Sequence, residues 1–218
     1  MEVYYETTCG YNKHINLVEV LPNYLNAGIK QAKLYKCGLR IMGKLSALFL
    51  DSDKIVNPVD LDFSDLKKYP ELPYIAIEND FEIKNIYNLE TLYSLEQLET
   101  LLLQKAFDID ISLIKNLKDI RFDYSRKIKN VGKSHKLERL HIWSYKGKDL
   151  SEFHELTNLK DLLLVRPSIK SLDGIENMTN LEKIEICYAR NLENISALEL
   201  LRSKHEIKYI TLPNKFRT

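Results

Sequence analysis

Few residues in this chain are spaced as chemistry would need them, and each grouping points to a different reaction. Gly38-Leu-Arg-Ile-Met-Gly43-Lys44 has the spacing of a loop that cradles phosphate. Such a loop needs backbone amides turned toward the anion, and a Ser or Thr after the lysine to hold magnesium. Here Leu45 follows and the intervening residues are bulky, so no nucleotide site is expected. His14, His135, His141, His154 and His205, with Cys9, Cys37 and Cys187, show no metal-ligand spacing such as Cys-x-x-Cys. His141, Cys187 and Glu185 would make a thiol site only if they met. On parallel strands two apart, they lie on the order of 10 Å from one another. That is too far for a hydrogen-bonded dyad. No catalysis, cofactor or metal is expected.

The basic residues are better organised. Arg126-Lys127-Ile-Lys129-Asn-Val-Gly-Lys133-Ser-His135-Lys136 carries no acid at all. Residues 51–110 hold 14 acids against 5 lysines, a net of −9, while residues 115–148 hold 11 Lys or Arg against 3 acids, a net of +8. The formal charge of +1 therefore hides a strongly polar molecule. Such fields steer association rather than specify a fold. A polyanion such as RNA is one reading of the basic stretch, but no aromatics are interleaved for base stacking. Nucleic acid is not the expected partner.

Composition narrows the setting. At 44% hydrophobic and 29% charged residues, the chain can bury a real core. No run is apolar enough to span a membrane. Met1-Glu2-Val3-Tyr4-Tyr5-Glu6 lacks the basic flank and apolar stretch of a signal peptide. Three widely spaced cysteines suit a reducing compartment, so a cytoplasmic location is expected. The sequons Asn177-Met-Thr and Asn194-Ile-Ser carry no meaning there.

The element that positions everything is a repeat. The phrase Leu-x-x-Leu-x-Leu, with Ile or Phe allowed, recurs as Leu98/Leu101/Leu103, Leu117/Ile120/Phe122, Leu137/Leu140/Ile142, Leu159/Leu162/Leu164, Leu181/Ile184/Ile186 and Ile207/Ile210/Leu212. It also reads as Leu72/Ile75/Ile77 and Leu45/Leu48/Leu50. Successive starts lie 27, 26, 19, 20, 22, 22 and 26 residues apart. One unit cannot bury positions 1, 4 and 6 alone, but stacked units make a continuous core.

This pattern resembles the leucine-rich-repeat family, whose units run about 20–29 residues with one short strand each. Ile169-Lys-Ser-Leu172-Asp-Gly-Ile175-Glu-Asn-Met-Thr-Asn-Leu181-Glu-Lys-Ile184 and Glu155-Leu-Thr-Asn-Leu159 are similar to the 22-residue units of bacterial internalins. The resemblance implies an α/β fold: a right-handed solenoid with a curved parallel sheet on its concave face and short helices or loops on its convex face. Residues 1–44 read as an N-terminal cap, 45–206 as the repeats, and 207–218 as a last strand and tail. Within the cap, Ile15-x-x-Val18-x-Val20 and Ile29-x-x-Ala32-x-Leu34 are near-matches out of phase. Ser151–Leu156, Asn88–Gln97 and Asn194–Lys204 read as short helices, with Ser151 and Asn194 as N-caps. The family places Asn or Cys at position 9 to bond the turning backbone. Here that position holds Asp53, Asp80, Ala106, Ser125, Tyr145, Pro167 and Ala189, so irregular turns without an asparagine ladder are expected.

Strand alternation turns positions 3, 5 and 7 outward. Position 2 alternates in sign through Glu99, Lys118, Glu138, Lys160, Glu182 and Lys208, and position 3 does so through Asp119, Arg139, Asp161 and Lys183. These columns read as register-setting ladders. Positions 5, 7 and 8 begin with Phe49, Asp51 and Ser52, and in the middle units they bring together His141, Trp143, Leu163 and Val165. Arg121, Tyr124, Arg166 and Tyr188 edge that apolar island. Nothing in the repeat requires the only tryptophan on the outer face. Clustered exposed apolar residues mark interaction sites, and Trp, Tyr and Arg dominate binding hot spots. The expected function is recognition of another protein by a monomeric, non-catalytic module in a bacterial cell. An inhibitor of a toxin or enzyme would be a special case of the same function.

Overall fold

A computed structural model describes residues 5–6, 8–45 and 58–216. Leu48 and Leu50 of the first phrase, with Phe49, Asp51, Ser52 and Asp53, lie outside the described residues. The chain forms two compact units, Met1–Lys105 with Ile114–Asn116, and Ala106–Leu113 with Leu117–Thr218.

The first unit begins with β1 (Tyr5–Glu6), β2 (Cys9–Asn12) and β3 (Leu17–Val20), each antiparallel to the next. Helix α1 (Leu25–Tyr35) then returns the chain, so that β4 (Gly38–Ile41) runs parallel to β3. Its buried residues Leu25, Gly28, Ile29 and Ala32 follow helical spacing. A Cβ on Gly28 would stand 2.7 Å from that of Val20, so only glycine lets the helix lie this close to β3. The helix stops at Lys36 in left-handed backbone, whose N–H reaches the Ala32 and Lys33 carbonyls. Beyond it come β5 (Val59–Asp62), β6 (Tyr74–Ile77), β7 (Ile83–Tyr87) and β8 (Thr100–Leu103). Strands β4, β6 and β8 continue the parallel sheet, and β5 pairs with β7 in a second one.

The register carries the repeat further back than the sequence pattern does. Val18 lies opposite Leu39, Leu39 opposite Ile75, and Ile75 opposite Leu101. Ile15/Val18/Val20 is therefore in phase, and the next occurrence is Lys36/Leu39/Ile41. The phrase is hidden because its first position is the lysine that ends α1. The near-match from Ile29 belongs to the helix instead.

The second unit holds β9 (Ile109–Asp110), β10 (Asp119–Asp123), β11 (Ile128–Lys129), β12 (Arg139–Trp143), β13 (Asp161–Val165), β14 (Lys183–Cys187), α2 (Ser196–Arg202) and β15 (Tyr209–Thr211). Strands β10, β12, β13, β14 and β15 form one parallel sheet without a register shift, and β9 pairs with β11 on the return side. Positions 1, 4 and 6 are inside as expected through β14, whereas at β15 Ile207 and Ile210 are half-buried. Leu137, Leu140, Ile142, Leu159, Leu162, Leu164, Leu181, Ile184 and Ile186 are fully buried. At position 2 one carbonyl accepts two amides from the next unit, as Lys160 does from Glu182 and Lys183, both 2.9 Å.

Three expectations need correction. The segments read as helices at Ser151 and Asn88 are shorter 3-10 turns, Ser151–Phe153 and Leu89–Ser94. Units this short leave too few residues to nucleate an α-helix. Neither expected cap holds: Leu150 and Ile195 occupy the N-cap positions, the Ser151 N–H is donated to Asp149 Oδ1 at 3.0 Å, and Asn194 Oδ1 accepts the Ser196 N–H at 2.8 Å from one residue further out.

The turns after β12, β13 and β14 are also regular rather than irregular. Position 8 is left-handed at Ser144, Arg166 and Tyr188, with φ of 58°, 53° and 57°. Its N–H extends the ladder onto the neighbouring strand, Ser144 to Val165 at 2.7 Å and Arg166 to Cys187 at 2.8 Å. An asparagine ladder does exist, but one residue before the phrase. Asn158 Nδ2 donates to the His135 carbonyl and Asn180 Nδ2 to that of Thr157, both 2.8 Å. Asn116 makes the same bond to Glu96 in the first unit, at 2.6 Å.

Candidate interaction surface

The free face of the second unit's sheet is built from its registered columns. Arg121, His141 and Leu163 stand side by side, as do Asp123, Trp143, Val165 and Cys187. Trp143, Leu163 and Val165 are half-buried rather than freely exposed, because each leans on its strand neighbours. The rings of Trp143 and His141 meet edge-on, 6.5 Å between centroids. Arg121 and Tyr124 are half-buried, Arg166 is exposed, and Tyr188 is 75% exposed. All eight lie on β10, β12 and β13 or in the turns after β10, β13 and β14, within one unit.

A charge network lies beside the island. Asp119 accepts Arg121 at 2.8 Å and 3.1 Å and Arg139 at 2.8 Å, and Arg139 also reaches Asp161 at 3.1 Å. His141 Nε2 lies 3.2 Å from Asp161 Oδ1, within ion-pair range but poorly aligned as a hydrogen bond. Burial pushes the His141 imidazole below its ordinary value of 6.5, with Asp161 opposing. Burial alone would raise the Asp161 carboxyl, but His141 and Arg139 outweigh it and hold it below 3.8. The hydrogen bond that Arg139 donates to Asp119, ahead of that to Asp161, raises its guanidinium. The position-2 ladder is present too, as Lys160 to Glu138 at 2.8 Å and Lys208 to Glu182 at 2.9 Å.

The turns at the strand ends open two clefts. One, of about 590 Å³, lies between the turns after β13 and β14, lined by Arg166, Pro167, Ser168, Tyr188, Arg190 and Asn191. The other, of about 510 Å³, shares Tyr188 and Arg190 and reaches Lys215. Sequence reading missed Arg190. Its signal is position 10, which is Arg126, Lys146 and Arg190 in three units.

The other groupings come apart. Strand β13 separates His141 from Glu185 in the register. In the glycine motif, Gly38–Ile41 is strand, and the amides of Gly43 and Lys44 bind the Asp80 carboxylate at 2.6 Å and 3.0 Å. A carboxylate of the chain itself thus takes those amides. The basic run divides: Lys129 pairs with Asp108 at 2.6 Å on the return side, while Arg126 and Lys127 stay in the turn after β10. In the first unit, Arg40 bridges the fully buried Glu19 at 3.6 Å and Glu78 at 2.7 Å, a triad the sequence pattern does not announce. Among the described residues, no group of three or more His, Cys, Asp or Glu could hold a metal ion, and no helix could cross a membrane.

No protein-family model matches the chain, and no curated protein does. Solved structures that resemble the chain include two internalins. Internalin C2 from Listeria monocytogenes shares 14% identity at a TM-score of 0.44, covering 69% of this chain and 76% of that one. Internalin inlF from the same species shares 16% at a TM-score of 0.38, covering 85% of this chain, which spans 64% of that one. What decides the architecture is in the chain itself: one parallel strand per recurrence of the phrase, with its three apolar positions buried. The fold is a leucine-rich-repeat fold. In leucine-rich repeats the sheet's free side chains are those the core does not need, and here they form the patch around Trp143.

Proposed function

We propose that the protein is a non-catalytic recognition module whose partner, another protein, meets the free sheet face of the second unit around Trp143. The observation that carries this reading is the cluster itself. Trp143, Leu163 and Val165 occupy adjacent outward positions where the neighbouring column is fully charged, and Arg121, Tyr124, Arg166 and Tyr188 surround them. Aromatic and aliphatic side chains at the centre with arginine and tyrosine at the edge match the composition of binding hot spots. Fold alone would not support it, since repeat arrays bind whatever their outward columns fit.

Trp143 is the only tryptophan, so its fluorescence reports on the patch directly. Proteins retained from source-cell lysate by the wild type, and lost with Trp143→Ala, are the expected result. Their purified forms should shift the Trp143 emission to shorter wavelength. Retention unaffected by Trp143→Ala, or abolished by nuclease, would sink the reading.

A further inference from the structure

We infer that the turns closing the strands of the second unit form a docking rim for an acidic segment of a protein partner. The inference rests on the reading above in taking that partner to be a protein, and adds the chemistry of the segment it presents.

In the second unit, the described residues among the four after position 7 contain a cation and no carboxylate at each turn. They supply Arg126 and Lys127, then Lys146, Arg166, Arg190 and Lys215, all exposed. None of the six makes a salt bridge among the described residues, although Arg166 faces the field of Asp123. The sheet beside them behaves differently. There Arg139, Lys160, Lys183 and Lys208 each pair with a carboxylate of the chain. Charge is neutralised internally on the face and left open along its edge.

The edge is also shaped. Arg166 and Arg190 flank the cleft between the turns after β13 and β14, and Tyr188 stands between this cleft and the next. A guanidinium matches a carboxylate with two parallel hydrogen bonds, and two such forks about one cleft select acidic side chains. Ser168 and Asn191 supply uncharged polar groups in the same wall. A nucleic acid fits less well. Asp123 and Glu185 lie just inside the rim, and Tyr188 is its one exposed ring among the described residues, where strand binders stack successive bases.

The test uses the full chain and a fluorescein-labelled oligoglutamate peptide, read by anisotropy. The wild type should bind at low salt and more weakly as salt rises. Arg166→Glu and Arg190→Glu should each weaken binding about tenfold or more. Lys84→Glu, at an exposed cation of the first unit, should leave it unchanged. Should Arg166→Glu fail to fold, Arg190→Gln, off the left-handed position, gives the same answer. No binding by the wild type, an unaltered affinity in Arg190→Glu, or tighter binding of single-stranded oligo-uridylate would overturn the rim. Lost peptide binding with intact Trp143-dependent capture would remove the rim alone. The reverse would remove the sheet-face reading alone.

Discussion

His141 on β12 and Asp161 on β13 approach to 3.2 Å across neighbouring strands, yet burial holds the imidazole neutral-leaning in spite of the carboxylate. Arg121 adds to that depression, while Asp119 sides with Asp161 against it. Folded His141 therefore binds a proton less readily than the unfolded chain does.

That relation fixes a pH dependence. A histidine depressed on folding contributes its full stability above about 6.5 and loses it as pH falls below that value. Asp161, also depressed, adds a loss of the same sign below its own ordinary 3.8. Thermal melts from roughly pH 7 to pH 5 should show a falling midpoint, and His141→Gln should flatten that slope. An equal slope in the variant would locate the titration elsewhere.

Arg139 should be structurally expensive to remove. It is shared by Asp119 and Asp161, both largely out of water, so Arg139→Gln takes a cationic donor from two carboxylates at once. The expected loss is about 1–3 kcal/mol at neutral pH, below the figure for a deeply buried pair because the guanidinium is partly solvated. Urea titration measures it. The deficit should shrink as acid protonates the carboxylates; a constant deficit would mean lost packing rather than lost charge.

Trp143→Ala should weaken partner binding by more than about tenfold. It should also cost the fold about 1–2 kcal/mol, because the ring is half-buried against its neighbours. A much larger destabilisation would make the ring a core residue and remove it from the interface.

The cysteines should separate by reactivity. Cys9 and Cys37 are fully buried, and burial pushes the Cys37 thiol up to about 11, whereas Cys187 is half-buried at the wall of a cleft. Iodoacetamide at mildly alkaline pH should modify Cys187 first, as peptide mapping by mass spectrometry would show. Prior labelling of Cys37 would contradict the register of β4.

The core was legible because burying three positions per unit needs only side-chain type and spacing. Leu140, Leu162 and Ile184 announce themselves, and their outward neighbours follow by alternation. Lys36 does not, since a helix stop outranks the repeat where the two coincide. The displaced asparagine bonds were visible as Asn158-Leu159 and Asn180-Leu181 but not interpretable, because backbone acceptors leave no mark on a sequence. The rim was illegible for a related reason. Arg166 and Arg190 sit at different repeat positions, and only the bend of each turn brings them to one cleft.

Ser144, Arg166 and Tyr188 hold, in three successive units, a backbone conformation that glycine adopts without penalty. Each non-glycine residue there costs about 1 kcal/mol. The array therefore carries latent thermostability that its sequence has left unused. At position 144 glycine would recover it without removing a guanidinium or phenol from the rim. At positions 166 and 188 the same exchange would delete the side chains that line the cleft. Selection for a hardier scaffold and selection for a tighter grip thus coincide at one turn and compete at the next two.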